Sequence, residues 1–248
     1  MQRDALAAYC EAFLETARFA DYCPNGLQVE GRGQVSSIVS GVTASAALLD
    51  AAITAGADAV FVHHGYFWKS DALPITGLKK ARIARLLAHD ISLFAFHLPL
   101  DAHPQVGNNA QLGRVLGLRV DGTFGQGQLG VYADLQAPTT AGEVAAMVQQ
   151  RLGRTPLLLG DAQQPVARVG WCTGGAQNYF EAAIDAGCTL FLSGEVSEPT
   201  HHLAVESGTA YLACGHHATE RYGIAALGEH LAAKFGLAHR FIDIPNPV

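Results

Sequence analysis

Three short stretches set imidazole and carboxylate side chains directly after apolar runs. They are "VFVHHG" with His63 and His64, "FAFHLPLD" with His97 and Asp101, and "LACGHHATE" with His216 and Glu220. Neutral imidazole and carboxylate are ligand types for divalent first-row metals. If the three apolar runs are strands whose ends meet at one sheet edge, these groups assemble into a metal site. Adjacent side chains of a regular strand point to opposite faces. His63 and His64 therefore reach one ion only if the chain turns at Gly65, or each serves its own ion with a carboxylate bridging the two. His216 and Glu220, four positions apart, share one face of a helix once that helix has begun. Glu220 would then lie in the first turn of "TERYGIAALGEHLAAKF", where the helix dipole favours a carboxylate.

Each group also has a plainer reading. A tandem histidine is commonly a hydrogen-bonded loop pair, and Pro99 keeps the His97-to-Asp101 segment from being an ordinary helix interior. His89, His103, His230 and His239 read as solvated surface residues. His201 and His202 are the main competitors, since they follow "GEVSEPT" with Glu195 and Glu198 nearby. They are expected near the site or on a partly exposed helix. Tyr66, Phe67 and Trp68 could wall a heterocyclic ligand or simply pack a core, and the sequence leaves both open. "CTGGAQ" lacks a Walker lysine and the G-x-G-x-x-G spacing, although its amides could hold an anion at the start of a helix from Ala176. No G-x-S-x-G elbow occurs, which argues against a serine hydrolase.

The elements that must position these groups follow from the alternation of β-rich runs with helix-period segments. The runs are "SSIVSGV", "DAVFVHH", "ISLFAFH", "LGVYADL", "VARVGW", "CTLFLSG", "TAYLACG" and "HRFIDI". The pattern predicts an α/β protein with largely parallel or mixed sheets flanked by helices. "DAAITAG" at 50–56 recurs as "EAAIDAG" at 181–187, each time before an apolar run, which predicts two similar lobes. The Gly-rich stretch "LRVDGTFGQGQLG" reads as a hinge between them, giving an N-terminal lobe over 1–124 and a C-terminal lobe over 125–248, with interleaving left open.

The chain has 248 residues, 49% hydrophobic and 15% charged, enough for a sizeable core without disulfide staples. A net charge of −6 argues against a duplex nucleic acid partner. The five cysteines include no C-x-x-C pair and read as reduced core residues of a cytoplasmic protein. The N-terminus reads as an amphipathic helix rather than a leader, and no apolar run is long enough to span a bilayer.

Taken together, "DYCPNGLQVEG", "VFVHHGYFWK", "FHLPLDAHPQVGNNAQL", "FLSGEVSEPTHHLA" and "GHHATERYGI" strongly resemble the Nif-three-like, or YbgI-type, family, whose members are often labelled GTP cyclohydrolase 1 type 2 homologues. The resemblance runs over nearly the whole chain. It implies two α/β lobes, a dinuclear metal centre in the cleft between them, and homo-oligomers in the form of toroidal hexamers. It also implies His63, His64, Asp101, His216 and Glu220 as ligands, with Glu220 bridging and His97 beside the ions or occasionally on one. The inserted domain of longer members has no room here. Two divalent ions, with Zn, Mn, Fe, Co or Ni as candidates, held by two carboxylates and neutral imidazoles would leave net positive charge for an anionic or polarised ligand. A metal-bound water would be acidified toward neutral pH, and two ions could hold nucleophile and electrophile about 3.5–4 Å apart. The expected function is thus metal-dependent hydrolysis of a small phosphorylated or heterocyclic substrate. The alternative is a metal-binding scaffold or metal-handling protein that acts through partners.

Overall fold

The computed structural model describes residues 1–248. In chain order the main elements are α1 (Arg3–Phe13), β1 (Gly26–Val29), β2 (Ser37–Thr43), α2 (Ala46–Thr54), β3 (Ala59–His64), α3 (Gly77–Ala88), β4 (Ser92–Ala95), α4 (Leu98–Ala102) and α5 (Asn108–Leu116). There follow β5 (Gly122–Phe124), β6 (Gly130–Thr140), α6 (Ala141–Leu152), β7 (Leu157–Leu159), β8 (Pro165–Trp171), α7 (Phe180–Asp185), β9 (Leu190–Ser193), α8 (Glu198–Ser207), β10 (Ala210–Ala213), α9 (His216–Phe235) and β11 (Ala238–Phe241). The chain divides into two compact units, one of Met1–Gly107 with Gly223–Pro245 and one of Asn108–Tyr222 with Asn246–Val248. No helix is long and apolar enough to cross a membrane.

The first unit holds a five-stranded sheet ordered β1-β4-β3-β2-β11. Its β2, β3 and β4 are parallel. They read as nearly unbroken apolar runs because both faces are covered. One face carries Phe61, Phe94 and Phe96 against Leu6 and Cys10 of α1 and Leu227 and Leu231 of α9. The other carries Val60 and Val62 against Leu48, Leu49, Ile83 and Leu86 of α2 and α3. The second unit holds a six-stranded sheet ordered β5-β6-β8-β9-β10-β7, with Trp171, Leu190, Leu192 and Leu212 packed on Val144 and Val148 of α6. All five cysteines are buried, and none forms a disulfide.

The echo in the sequence is a repeated β-α-β module. In one copy Ile38 pairs with Ala59, and in the other Val169 pairs with Leu190, at the same separation along the chain. The repeated "AAI-x-AG" ends each helix in the same way. The Gly56 amide donates to Ile53 O and the Ala57 amide to Ala52 O, while Gly187 donates to Ile184 O and Cys188 to Ala183 O. Both glycines take positive φ, +68° and +76°, the left-handed turn that this double helix stop needs.

Two expectations change. The Gly-rich stretch is a hairpin of the second unit and not a hinge: β5 pairs antiparallel with β6, and Gly125 and Gly127 supply the positive φ of the connection. The division between units falls after Gly107 and again inside α9 after Tyr222, rather than at 124/125, so the units interleave along the chain. Helical periodicity continues through the second boundary, and neither boundary carries a break in composition.

Candidate metal centre

In the first unit, β3 delivers His63 and His64. His63 is fully buried, and its Nδ1 bonds Phe96 O at 2.8 Å. A carbonyl only accepts, so Nδ1 carries the proton. Nε2 is then directed at Asp101 Oδ1, 3.5 Å away, and Asp101 is itself buried. Two buried Lewis-basic atoms facing each other at this distance suit a shared cation or a second proton. The rings of His63 and His64, the last two residues of β3, lie 4.5 Å apart. The Nδ1 of His64 is 3.2 Å from Thr43 Oγ1 on the neighbouring strand.

His97 follows β4 and precedes the short α4, whose first turn carries Pro99 and the buried Asp101. Its backbone amide donates to Asn25 Oδ1 and its Nδ1 bonds Asp21 Oδ1, both at 2.7 Å. Burial pushes the Asp21 carboxyl up, but bonds from His97, Asn25 and the Tyr22 amide outweigh it and bring the group down to about 2. His63, His64 and His97 each offer a ring nitrogen, all within 4.8 Å of one another. Trp68 meets the His97 ring edge-on, with centroids 4.9 Å apart.

In the second unit, α9 starts at His216, and its first turns present His216 and Glu220. The two nitrogens of His216 face two carboxylates: Nδ1 lies 2.7 Å from Glu195 Oε1 and Nε2 lies 2.9 Å from Glu220 Oε2. Burial alone would depress the imidazole, but Glu220 and then Glu195 raise it to about 9. Without an ion this ring is an imidazolium. With one, Nε2 and Glu220 become donors and Glu195 keeps Nδ1–H in place, the usual second partner of a ligating histidine. Glu220 is 3% exposed, and the loop at Gly174 closes over it, so that a Cβ there would collide with its carboxylate.

The "CTGGAQ" loop lies against Glu220, and two of its amides are bonded within the unit. Gly174 N donates to Thr219 Oγ1, and Ala176 N to Ser193 Oγ. The competing pair His201 and His202 is exposed on α8, where His202 contacts only Glu198 among the carboxylates. Tyr66 belongs to the core, its hydroxyl bonded to Ala44 O, whereas Trp68 borders the histidines. Of the histidines read as solvated, His89 is exposed, but His230 stacks on Phe13 and bonds the Tyr9 hydroxyl, His103 packs on Phe13, and His239 bonds Ser40. Partners from distant segments, Phe13, Tyr9 and Ser40, make these positions, and no local pattern announces them.

Sequence reasoning passed over Asp21, Asn25 and Thr43, and weighed Glu195 only as a neighbour of His201 and His202. The signal for Glu195 was present: it stands in the second module where His64 stands in the first.

Residues 1–247 match the model of a family described as Duf34/NIF3 (NGG1p interacting factor 3). A protein of Pseudomonas aeruginosa named GTP cyclohydrolase 1 type 2 homolog is 54% identical over 245 residues, covering 98% of this chain and 97% of that one. The protein of the same name from Escherichia coli K12 is 52% identical over 235 residues, 94% of each chain. Among solved structures, protein ybgI, described as of unknown function, matches with a TM-score of 0.96 at 50% identity over the whole of both chains. TTHA1606 from Thermus thermophilus matches at 0.90 with 36% identity, again over both whole chains.

Proposed function

We propose, for a chain that belongs to the Duf34/NIF3 (NGG1p interacting factor 3) family, that it binds two divalent transition-metal ions through His63, His64, Asp101, His216 and Glu220 and hydrolyses a small phosphorylated or heterocyclic substrate. The observation that carries this reading is the fixed orientation of two imidazoles. Phe96 O holds Nδ1 of His63 and Glu195 holds Nδ1 of His216, so each ring directs Nε2 at a buried carboxylate, Asp101 in one case and Glu220 in the other. Mixed imidazole and carboxylate donors favour Zn, Mn, Fe, Co or Ni over Ca or Mg.

Bound ions of this kind supply Lewis acidity and lower the pKa of water toward neutrality. The chain's own residues bind, orient and enclose. Asp101 and Glu220 neutralise part of the ionic charge, Glu195 and Phe96 O fix the rings, and the Gly174 loop covers Glu220. Trp68 offers an aromatic edge beside the histidines, which suits a planar ring in the substrate. The names of the relatives support a GTP cyclohydrolase-like reaction by label alone, and no motif in this chain resembles a guanine reader.

The test is elemental analysis joined to a hydrolysis screen of nucleotides, cyclic amides and phosphoesters with metal-replete protein. Close to two ions per chain are expected, with Glu220→Gln losing more metal than His201→Ala. Turnover should require the metal and vanish in Asp101→Ala with the fold intact. Metal uptake without turnover of any substrate would favour the scaffold reading, and a chain that takes up none of these ions would overturn both.

A further inference from the structure

We infer that Asp21 is a positioning residue that fixes the tautomer of His97 and so turns its Nε2 into a nitrogen donor beside His63 and His64. The inference rests on the metal-binding reading above and extends it to a residue far from the ligand motifs in sequence. Four donors converge on the Asp21 carboxylate. Oδ1 receives the Tyr22 amide at 2.6 Å and His97 Nδ1 at 2.7 Å, and Oδ2 receives Asn25 Nδ2 and the Leu98 amide, each at 2.9 Å. A carboxylate only accepts, so His97 Nδ1 must carry a proton. Asn25 completes the clamp, because its Oδ1 accepts the His97 backbone amide at 2.7 Å while its Nδ2 serves Asp21.

The backbone and the ring of His97 are thus held by one loop, at φ −99° and ψ −108°, outside the regular helical and extended regions. With Nδ1 protonated, the neutral ring has its lone pair on Nε2, and the ring-nitrogen group of His63, His64 and His97 spans no more than 4.8 Å. A carboxylate behind a metal-binding imidazole orients it and raises its basicity, and loss of such a partner costs about 10–100-fold in metal affinity.

Asp21→Asn separates tautomer control from packing because it keeps the shape and changes one acceptor into a donor. If the amide oxygen stays at His97, the new NH2 faces both the Leu98 amide and Asn25 Nδ2, two donor–donor conflicts. If it flips, one conflict remains, with the Tyr22 amide, and the NH2 donates to His97 Nδ1. The second arrangement is favoured, and it moves the ring proton to Nε2, closing the donor toward His63 and His64.

The experiment uses the full chain with ¹⁵N-labelled histidine. In metal-free protein, His97 should show the Nδ1–H tautomer in the wild type and the Nε2–H tautomer in Asp21→Asn. Zn²⁺ titration against a competing chelator should show one of the two ions weakened by about 10–100-fold in the variant. Asp58→Asn is the control. Asp58 is another buried carboxylate of the same unit, accepting from Arg32, Ser36 and Ser37, and its loss should lower the thermal midpoint without moving Zn²⁺ affinity. The inference is overturned if Asp21→Asn binds both ions as the wild type does, if Asp58→Asn weakens Zn²⁺ binding as much as Asp21→Asn does, or if His97 keeps its tautomer. A thiolate-to-metal band on adding Co²⁺ would also overturn it, since it would seat an ion on Cys23, Asp21 and His97 Nδ1 instead. Failure of the wild type to bind any ion would sink the functional reading, whereas the metal-free tautomer would still decide this one.

Discussion

Gly174→Ala and Gly153→Ala form a matched pair that tests whether the loop over Glu220 is sterically closed. Both glycines lie in the second unit at φ +69°, so an alanine at either carries the same left-handed strain of about 1–2 kcal/mol. Around Gly153 a new Cβ meets nothing within 4 Å. At Gly174 it would overlap Glu220 Oε1, with Cδ at 2.8 Å and His216 Nε2 at 3.1 Å. A flexible glutamate on the surface would swing away, but this one is 3% exposed and tied to His216 at 2.9 Å. Overpacking of a closed site adds about 1–3 kcal/mol, so Gly174→Ala should exceed its partner by that amount, or roughly 2–4 °C in midpoint for each kcal/mol at this chain size. The assay is thermal unfolding followed by circular dichroism on metal-free protein, which removes the stabilisation that bound ions would add. Metal content measured in parallel should fall in Gly174→Ala and hold in Gly153→Ala. Equal midpoints would refute the closed-loop argument, because the two variants would then share strain and nothing more.

Stability should also depend on Asp58. Burial raises this carboxyl, but the Ser36 and Ser37 amides, the Ser36 hydroxyl and Arg32 outweigh it and leave the group below its ordinary value. A depressed folded-state pKa gives stability that is present above the unfolded value near 4 and lost as pH falls through the lower folded one. Asp58→Asn should therefore cost on the order of 2 kcal/mol at pH 7, and the gap to wild type should narrow below pH 4; a gap that is constant from pH 7 to pH 3 would contradict this. Of the two tryptophans, Trp68 borders His64 and His97 while Trp171 is buried in the second unit with its indole N–H on Asn109 O. Adding Co²⁺ to metal-free protein should quench emission in the wild type and not in Trp68→Phe, and an undiminished response in the variant would place the ion elsewhere.

Much of the fold was legible because its central strands are buried on both faces. All eight apolar runs read as strands are strands, β2, β3, β4, β6, β8, β9, β10 and β11. The three that were missed, β1, β5 and β7, are short and lie at sheet edges, where one neighbour suffices and no long apolar run is required. The ligand-type residues were legible because each follows one of the readable strands. Their supports were not. Asp21 and Asn25 act from an irregular loop, and Glu195 was hidden by its nearness in sequence to His201 and His202, which face solvent. The Gly-rich stretch misled because glycine marks any tight reversal, and a hairpin needs positive φ as much as a hinge does.

The shared register of the two β-α-β modules makes them interchangeable parts. The stretch from Ser37 to His64 and the stretch from Arg168 to Glu195 have equal length. The helix-ending glycine sits at the same place in both, and their parallel strand pairs match residue for residue. A chimera that exchanges the two segments would keep the segment length and the register of the paired strands, with the nine-residue α2 and the six-residue α7 changing places, while carrying His63 and His64 into the second unit and Gly194 and Glu195 into the first. Donor chemistry could then be transplanted as a cassette, with the surrounding sheet serving as a common socket.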